Sequence, residues 1–163
     1  MSREKWDYLA GEHRLTDIGQ AVIFIVFAGV WIPDFFLEYS NFLNQYMPLA
    51  VKLPVGILLL VLAGYMARTG LSIVFGKNAQ TTGVIRKSVF NFVRHPIYLS
   101  EIILYSGLLI MNLSMAAMAV WIIGILFLHY MSRHEEKLLL AKYGKEYEEY
   151  RKDVPMWFPR LIR

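Results

Sequence analysis

Sixteen residues from Ile18 to Pro33, IGQAVIFIVFAGVWIP, pass without a single charge, and the apolar character extends to Leu37. Three comparable blocks follow. LPVGILLLVLAGYMA covers Leu53–Ala67 and continues past Arg68 through GLSIVFG. IYLSEIILYSGLLIM and MAAMAVWIIGILFLHYM are separated only by Asn112, Leu113 and Ser114. A straight helix needs about 20 apolar residues to cross a bilayer core, and no water is available there to satisfy an unpaired backbone. Blocked rather than alternating hydrophobicity therefore predicts an all-α, polytopic membrane protein with about four transmembrane helices. The last two blocks are short and nearly contiguous, and read as a C-terminal helical hairpin. Composition agrees: hydrophobic residues make up 56% and charged residues 18%, against about a quarter in soluble domains.

With 163 residues the chain has room for one membrane-embedded domain, 1–163, and shows no internal repeat. It contains no cysteine, so thiolate metal sites, disulfides and cysteine nucleophiles are excluded. The four histidines, at 13, 95, 129 and 134, lack metal spacing, and no metal is expected. A net charge of +4, with its basic residues beside the apolar blocks, fits topology and headgroup contacts better than nucleic acid. Residues 68 to 95 carry Arg68, Lys77, Arg86, Lys87 and Arg94 and no acid, and the tail after Ser132 is rich in Lys and Arg. The loop between the first two blocks holds Asp34 and Glu38, with Lys52 at its far end. The positive-inside rule then predicts a cytoplasmic 68–95 loop, with both termini on the same side. No cleavage site resembling a signal peptide's follows the mixed-charge N-terminus.

The polar residues that interrupt this pattern mark the candidate site. Arg94-His95-Pro96 stands at the mouth of the third block, with proline at a first helical turn, where its missing N–H costs nothing. Glu101 lies about 7 Å further in at about 1.5 Å per residue. A carboxylate inside a membrane helix costs about 2.5–3.5 kcal/mol on insertion scales and marks function by default. Tyr98, Glu101 and Tyr105 share one helical stripe. Arg133-His134-Glu135-Glu136 follows the fourth block, and the hairpin returns it to the same membrane face. The tail RHEEKLLLAKYGKEYEEYRKD reads as an amphipathic helix leaving the bilayer, broken at Gly144 and resumed as a second short helix. VPMWFPRLIR then reads as an extended interfacial segment. Walker, dinucleotide-fingerprint, zincin and nucleophile-elbow motifs are all missing.

VIRKSVFNFVRHPIYLSEI, followed some forty residues later by EEKLLLAKYGKEYEEYRKDVP, resembles the isoprenylcysteine carboxyl methyltransferase and phospholipid methyltransferase superfamily. The similarity rests on Arg-His-Pro-x-Tyr, Glu-Glu and Tyr-Gly-x-x-Tyr-x-x-Tyr and spans about half the chain. It implies a methyltransferase that uses S-adenosylmethionine on a lipid-like acceptor, with the cofactor part over about 77–159. Carried over by position, Thr82, Gly83, Val84 and Ile85 would line the adenosine side of the cofactor. Phe90, His95, Pro96, Ile97 and Tyr98 would continue the pocket, and Glu135 would meet the cofactor's charged end. Arg94 or Arg133 would orient a carboxylate acceptor, and Glu101 or Glu136 would take a proton from an amine acceptor; the residues do not separate the two. The chain departs from the pattern at Thr82, at Ser88 in place of a turn glycine, and at Phe90 in place of tyrosine. It departs again at Met131, in place of an arginine that meets the substrate. Two alternatives stand beside this reading. One is a sterol-reductase-like membrane enzyme using NADPH, whose C-terminal pattern is similar. The other is a non-catalytic membrane scaffold or lipid-binding protein.

Overall fold

The structure, a computed structural model, describes residues 14–76 and 83–159. Among these it contains five α-helices and no strand. They are α1 (Arg14–Leu37), α2 (Leu49–Phe75), α3 (Pro96–Asn112), α4 (Met115–Tyr143) and α5 (Lys145–Asp153), with 3-10 turns at Phe42–Tyr46 and Ser88–Asn91. α1, α2 and α4 are long and apolar enough to cross a membrane, and α3 is a shorter apolar helix of 17 residues. Their outward faces carry Phe24, Ile25, Leu58, Val61 and Leu126 in the open, the side chains a lipid phase would cover. The chain is an integral membrane protein.

The predicted hairpin forms, since only Leu113 and Ser114 separate α3 from α4, and the Ser114 hydroxyl accepts the Ala117 N–H at 3.1 Å as an N-cap. Yet the hairpin partners are not each other's main neighbours. α3 packs chiefly along α2, and α4 chiefly along α1. The reason lies in small residues. The buried face of α2 reads Lys52, Gly56, Ala63 and Gly70, one stripe at helical spacing. Opposite Gly56, α3 presents Gly107, so the two backbones meet directly. Lipid offers no hydrophobic drive between helices, and close backbone approach is what holds such a pair. On the other flank, the Tyr105 ring stacks on Phe27 of α1, with centroids 4.5 Å apart. Trp31 donates to the Leu108 carbonyl at 2.9 Å, and Trp121 donates to that of Ile102 at 3.3 Å.

The end of the bundle remote from Arg94 is tied by a buried polar network, where the sequence predicted a charged loop. Asp34 belongs to α1, is fully buried, and accepts the backbone N–H and hydroxyl of Ser40 at 2.7 and 2.6 Å. Lys52 belongs to α2, is also buried, and donates to Asn44 at 2.7 Å. Asn41 and Asn44 both donate to Asn112 at the end of α3. The α1–α2 connection is thus stapled to the α3–α4 turn, and these charges serve the fold rather than a solvated loop.

The Gly56–Gly107 contact makes a testable claim. A Cβ at Gly107 would lie 3.1 Å from the Gly56 carbonyl oxygen and 3.1 Å from Leu59 Cβ. Gly107→Leu is expected to destabilise the protein by roughly 1–3 kcal/mol through overpacking. A Cβ at Gly64 meets nothing within 4 Å. Gly64→Ala is therefore expected to be neutral or to gain up to about 1 kcal/mol. Thermal unfolding in detergent compares the two.

Candidate active site at the mouth of the third helix

Arg94, His95 and Glu136 form the buried centre of the basic end. Arg94 Nε donates to Glu136 Oε1 at 2.6 Å, with the two side chains 10% and 4% exposed. His95 Nε2 lies 3.3 Å from the same carboxylate oxygen, and His95 Nδ1 lies 3.6 Å from Glu135 Oε2. Arg151 reaches the other oxygen of Glu136 at 3.5 Å. Arg94 also donates through NH1 to the carbonyls of Arg151 and Val154, and its backbone N–H donates to the Pro155 carbonyl at 3.0 Å. One side chain at the start of α3 therefore binds α4, the end of α5 and the segment after it. His95 is stacked on Tyr98 at 5.6 Å and flanked by Trp157 at 5.9 Å, while Trp157 donates to His129 at 3.1 Å.

α5 closes this end over the loop that precedes α3. Gly144, at φ +53, turns the chain out of α4 as its sequence position predicted. Glu146 then accepts the Val84 N–H at 2.8 Å beside Gly83, which has φ +76. The Tyr150 hydroxyl donates to the Phe90 carbonyl at 2.7 Å, and Arg86 lies over the Tyr150 ring. Ser88, at the position of the expected turn glycine, has φ +52. The turn keeps the left-handed geometry that favours glycine and accepts the strain of a side chain.

Between these elements lies a cavity of about 250 Å³. Ten of the residues singled out from sequence line it: Gly83, Val84, Ile85, Phe90, Arg94, His95, Pro96, Ile97, Tyr98 and Glu135. Thr82 lies outside the described residues. Glu136 sits behind the wall, buried, where it holds Arg94 and His95. Glu101 lies one turn deeper than Tyr98 and accepts the Tyr105 hydroxyl at 2.8 Å, so the predicted stripe is real. Arg133 is exposed on α4 and is not part of the lining, whereas Met131 is buried. The sequence reading missed Asp17 and Gln20 of α1, Leu71, Val74 and Phe75 of α2, and Leu139 of α4. It also assigned no role to Tyr143, Tyr147 and Tyr150, which line the cavity as well. Tyr147 and Tyr150 carried a usable signal, since a spacing of three puts them on one face of α5, whereas Tyr143 lies before the break at Gly144. The α1 and α2 residues carried none.

Electrostatics favour a neutral, aromatic chamber around one charged knot. Burial pushes the Tyr147 phenol far up, helped by the Glu136 charge. It does the same to Tyr150, against the opposing pull of Arg94 and Arg86. Both remain un-ionised donors. Burial opposes charge on His95, but Glu135 and Glu136 together outweigh it and hold the imidazole above its ordinary value. Glu135 Oε2 is buried without a hydrogen-bond partner, an acceptor still owed a donor. Among the described residues, no three His, Cys, Asp or Glu side chains gather as a metal site.

Fold and site together define a helical membrane protein with a partly open, largely apolar and aromatic-lined cavity beside a charged knot. Its family follows from comparison: the model of the 3-oxo-5-alpha-steroid 4-dehydrogenase family matches residues 12–158, and the chain belongs to that family. No curated protein and no solved structure matches it significantly. This overturns the resemblance to the isoprenylcysteine and phospholipid methyltransferases, and with it the methyltransferase activity and S-adenosylmethionine as cofactor. The physical reason is visible in the site. The motifs behind the resemblance build an ion knot and a capped helix mouth, which organise a cavity without specifying its occupant. At Met131, where the methyltransferase pattern often has an arginine for the substrate, the chain has a buried apolar side chain.

Two outcomes test the knot. Glu136→Ala leaves Arg94 and His95 without their shared carboxylate and is expected to cost roughly 3–5 kcal/mol. A raised His95 value in the fold means that the charged imidazole stabilises fully below the ordinary value of 6.5. That contribution is lost as pH climbs through the raised value. The melting temperature is expected to fall across that window in wild type and to vary less with pH in His95→Asn.

Proposed function

We propose that this protein is a membrane reductase. It would use a reduced nicotinamide dinucleotide to saturate the carbon–carbon double bond conjugated to a carbonyl in an apolar, sterol-like substrate. The observation that carries this reading is the extent of the family match. Residues 12–158 include every element that walls the cavity, from α1 to the segment after α5. The whole chain then works as one domain. By the positive-inside rule its cavity and both termini lie on the cytoplasmic side, where nicotinamide cofactors are found.

The residues present suit such a cofactor. The orphan acceptor Glu135 Oε2 matches the N–H groups of a nicotinamide carboxamide. Phe90, Tyr98, Tyr147 and Tyr150 offer faces and edges to flat rings. Gly83 lets the loop approach a bound group closely, and Val84, Ile85, Pro96 and Ile97 keep the wall apolar. When bound there, a reduced nicotinamide would be the source of the hydride for the carbon β to the carbonyl, and a proton delivered by the protein to the α carbon would complete the saturated ketone. Glu101, paired with Tyr105 one turn beneath the lining residue Tyr98, would supply this proton from behind the cavity wall. His95, held by Glu135 and Glu136, fixes the rim beside Tyr98. Arg94 and Glu136 act behind it as positioning residues, and Arg133 is given no contact with the reacting groups. α5 and the Trp157 segment exclude water from above.

The test uses protein in lipid nanodiscs, supplied with reduced nicotinamide dinucleotide and a panel of polycyclic enones. Enone-dependent loss of reduced-cofactor absorbance, with a product heavier by two hydrogens, is the expected outcome. Glu101→Gln is expected to lower kcat by about 10²–10⁴-fold. Glu135→Gln is expected to weaken cofactor binding by about tenfold or more. A folded wild type that binds neither form of the reduced cofactor overturns the proposal.

A further inference from the structure

The two sides of α4 differ in character. Ala117, Gly124, Leu128 and Met131 are buried on one side, and Glu135, Leu139 and Tyr143 line the cavity next to them. At about 100° per residue, Ile122, Leu126, Tyr130, Arg133 and Lys137 fall within about 80° of one another on the opposite side. All five are exposed, so this stripe faces out of the bundle. It changes along its length from two aliphatic side chains to a tyrosine 69% exposed, and then to two cations. Trp157 donates to His129 at 3.1 Å, which fixes an indole at the level of Tyr130, next in sequence to Phe158, 82% exposed. Tyr and Trp collect where the hydrocarbon of a bilayer gives way to headgroups. Arg133 and Lys137 therefore stand at headgroup depth, one and two turns beyond Tyr130.

The protein does not match these two charges itself. Among the described residues, neither cation has an ion-pair or hydrogen-bond partner. The carboxylates nearest in sequence are turned elsewhere: Glu136 is buried among Arg94, His95 and Arg151, and Glu135 stands on the cavity wall. Residues four apart on a helix are neighbours, so like charges there repel, and an anion held between them removes the penalty. We propose that this face of α4 binds an anionic phospholipid, its phosphate bridging Arg133 and Lys137 and its acyl chains lying along Ile122 and Leu126. The two positions are about 6 Å apart along the axis, within reach of one phosphate for two long side chains. The guanidinium grips such a group through paired N–H bonds, and the ammonium meets it as a point charge. A zwitterionic lipid brings a quaternary ammonium of its own to the same place, and that cation opposes the pair. The site lies across α4 from the cavity and is independent of the reaction assigned there.

The experiment offers the full chain, purified and delipidated in a neutral detergent, equal amounts of phosphatidylglycerol and phosphatidylcholine with matched acyl chains. Native mass spectrometry counts which lipid binds first. Wild type is expected to take phosphatidylglycerol about tenfold or more in preference, since each cation near a membrane surface contributes about fivefold. Arg133→Gln and Lys137→Gln are each expected to lower that ratio about fivefold, and the double variant to bring it to within about twofold of one. Exchanging the two residues, Arg133→Lys with Lys137→Arg, keeps both charges and the preference. Arg68→Gln removes an exposed cation from α2 and leaves the ratio unchanged. Inorganic phosphate in tenfold molar excess displaces no phosphatidylglycerol. Wild type that takes both lipids equally overturns the proposal, as does a double variant that keeps the wild-type ratio. Displacement by inorganic phosphate also overturns it, because the site then reads a free ion and not a lipid.

Discussion

A buried arginine must be matched or the fold around it fails, and Arg94 is matched four times over. Its guanidinium meets Glu136 and the carbonyls of Arg151 and Val154, and its backbone N–H meets Pro155. Through these contacts the mouth of α3, the extramembrane end of α4, α5 and the final segment become one body. Desolvating such a group costs several kcal/mol, and hydrogen bonds of good geometry must offset it. The planar, multiply donating head of arginine suits that task in a way lysine's point charge does not. Remove the knot and the cavity loses its inner wall, because His95 and the segment bearing Trp157 are placed by the same contacts.

The two ends of the bundle use buried polarity for different purposes. At the far end Asp34, Ser40, Asn41, Asn44, Lys52 and Asn112 bond to one another, with Asn112 Nδ2 left over without a partner. That is a staple between two connections. At the near end Glu135 stands on the cavity wall, and its Oε2, 3.6 Å from His95 Nδ1, accepts no hydrogen bond.

Much of the architecture was legible because membrane helices obey few rules. Uninterrupted apolar blocks, the break at Gly144 and the close turn at Asn112–Ser114 fixed the element order. Helical spacing alone paired Glu101 with Tyr105. Helix neighbours were not legible: the stripe Gly56, Ala63 and Gly70 mates with Gly107 through backbone contact, and no hydrophobic pattern reports which helix will accept such a face. Asp34 and Lys52 were misplaced into a loop for a related reason, since their cost in an apolar block is cancelled by partners far away in sequence.

The misassigned activity has a sharper lesson. Arg-His-Pro-x-Tyr and the Glu-Glu pair are sequence-specific because the Arg94–Glu136–His95 knot is demanding in geometry, not because any one reaction demands it. A motif that builds a wall will recur wherever that wall is useful. Away from that wall the chain had already parted from the methyltransferase pattern. Met131 turns into the core, and the carboxyl at membrane depth, Glu101, is paired with a phenol rather than with a cation. α3 places Tyr98 on the cavity wall and the Glu101–Tyr105 pair one turn beneath it.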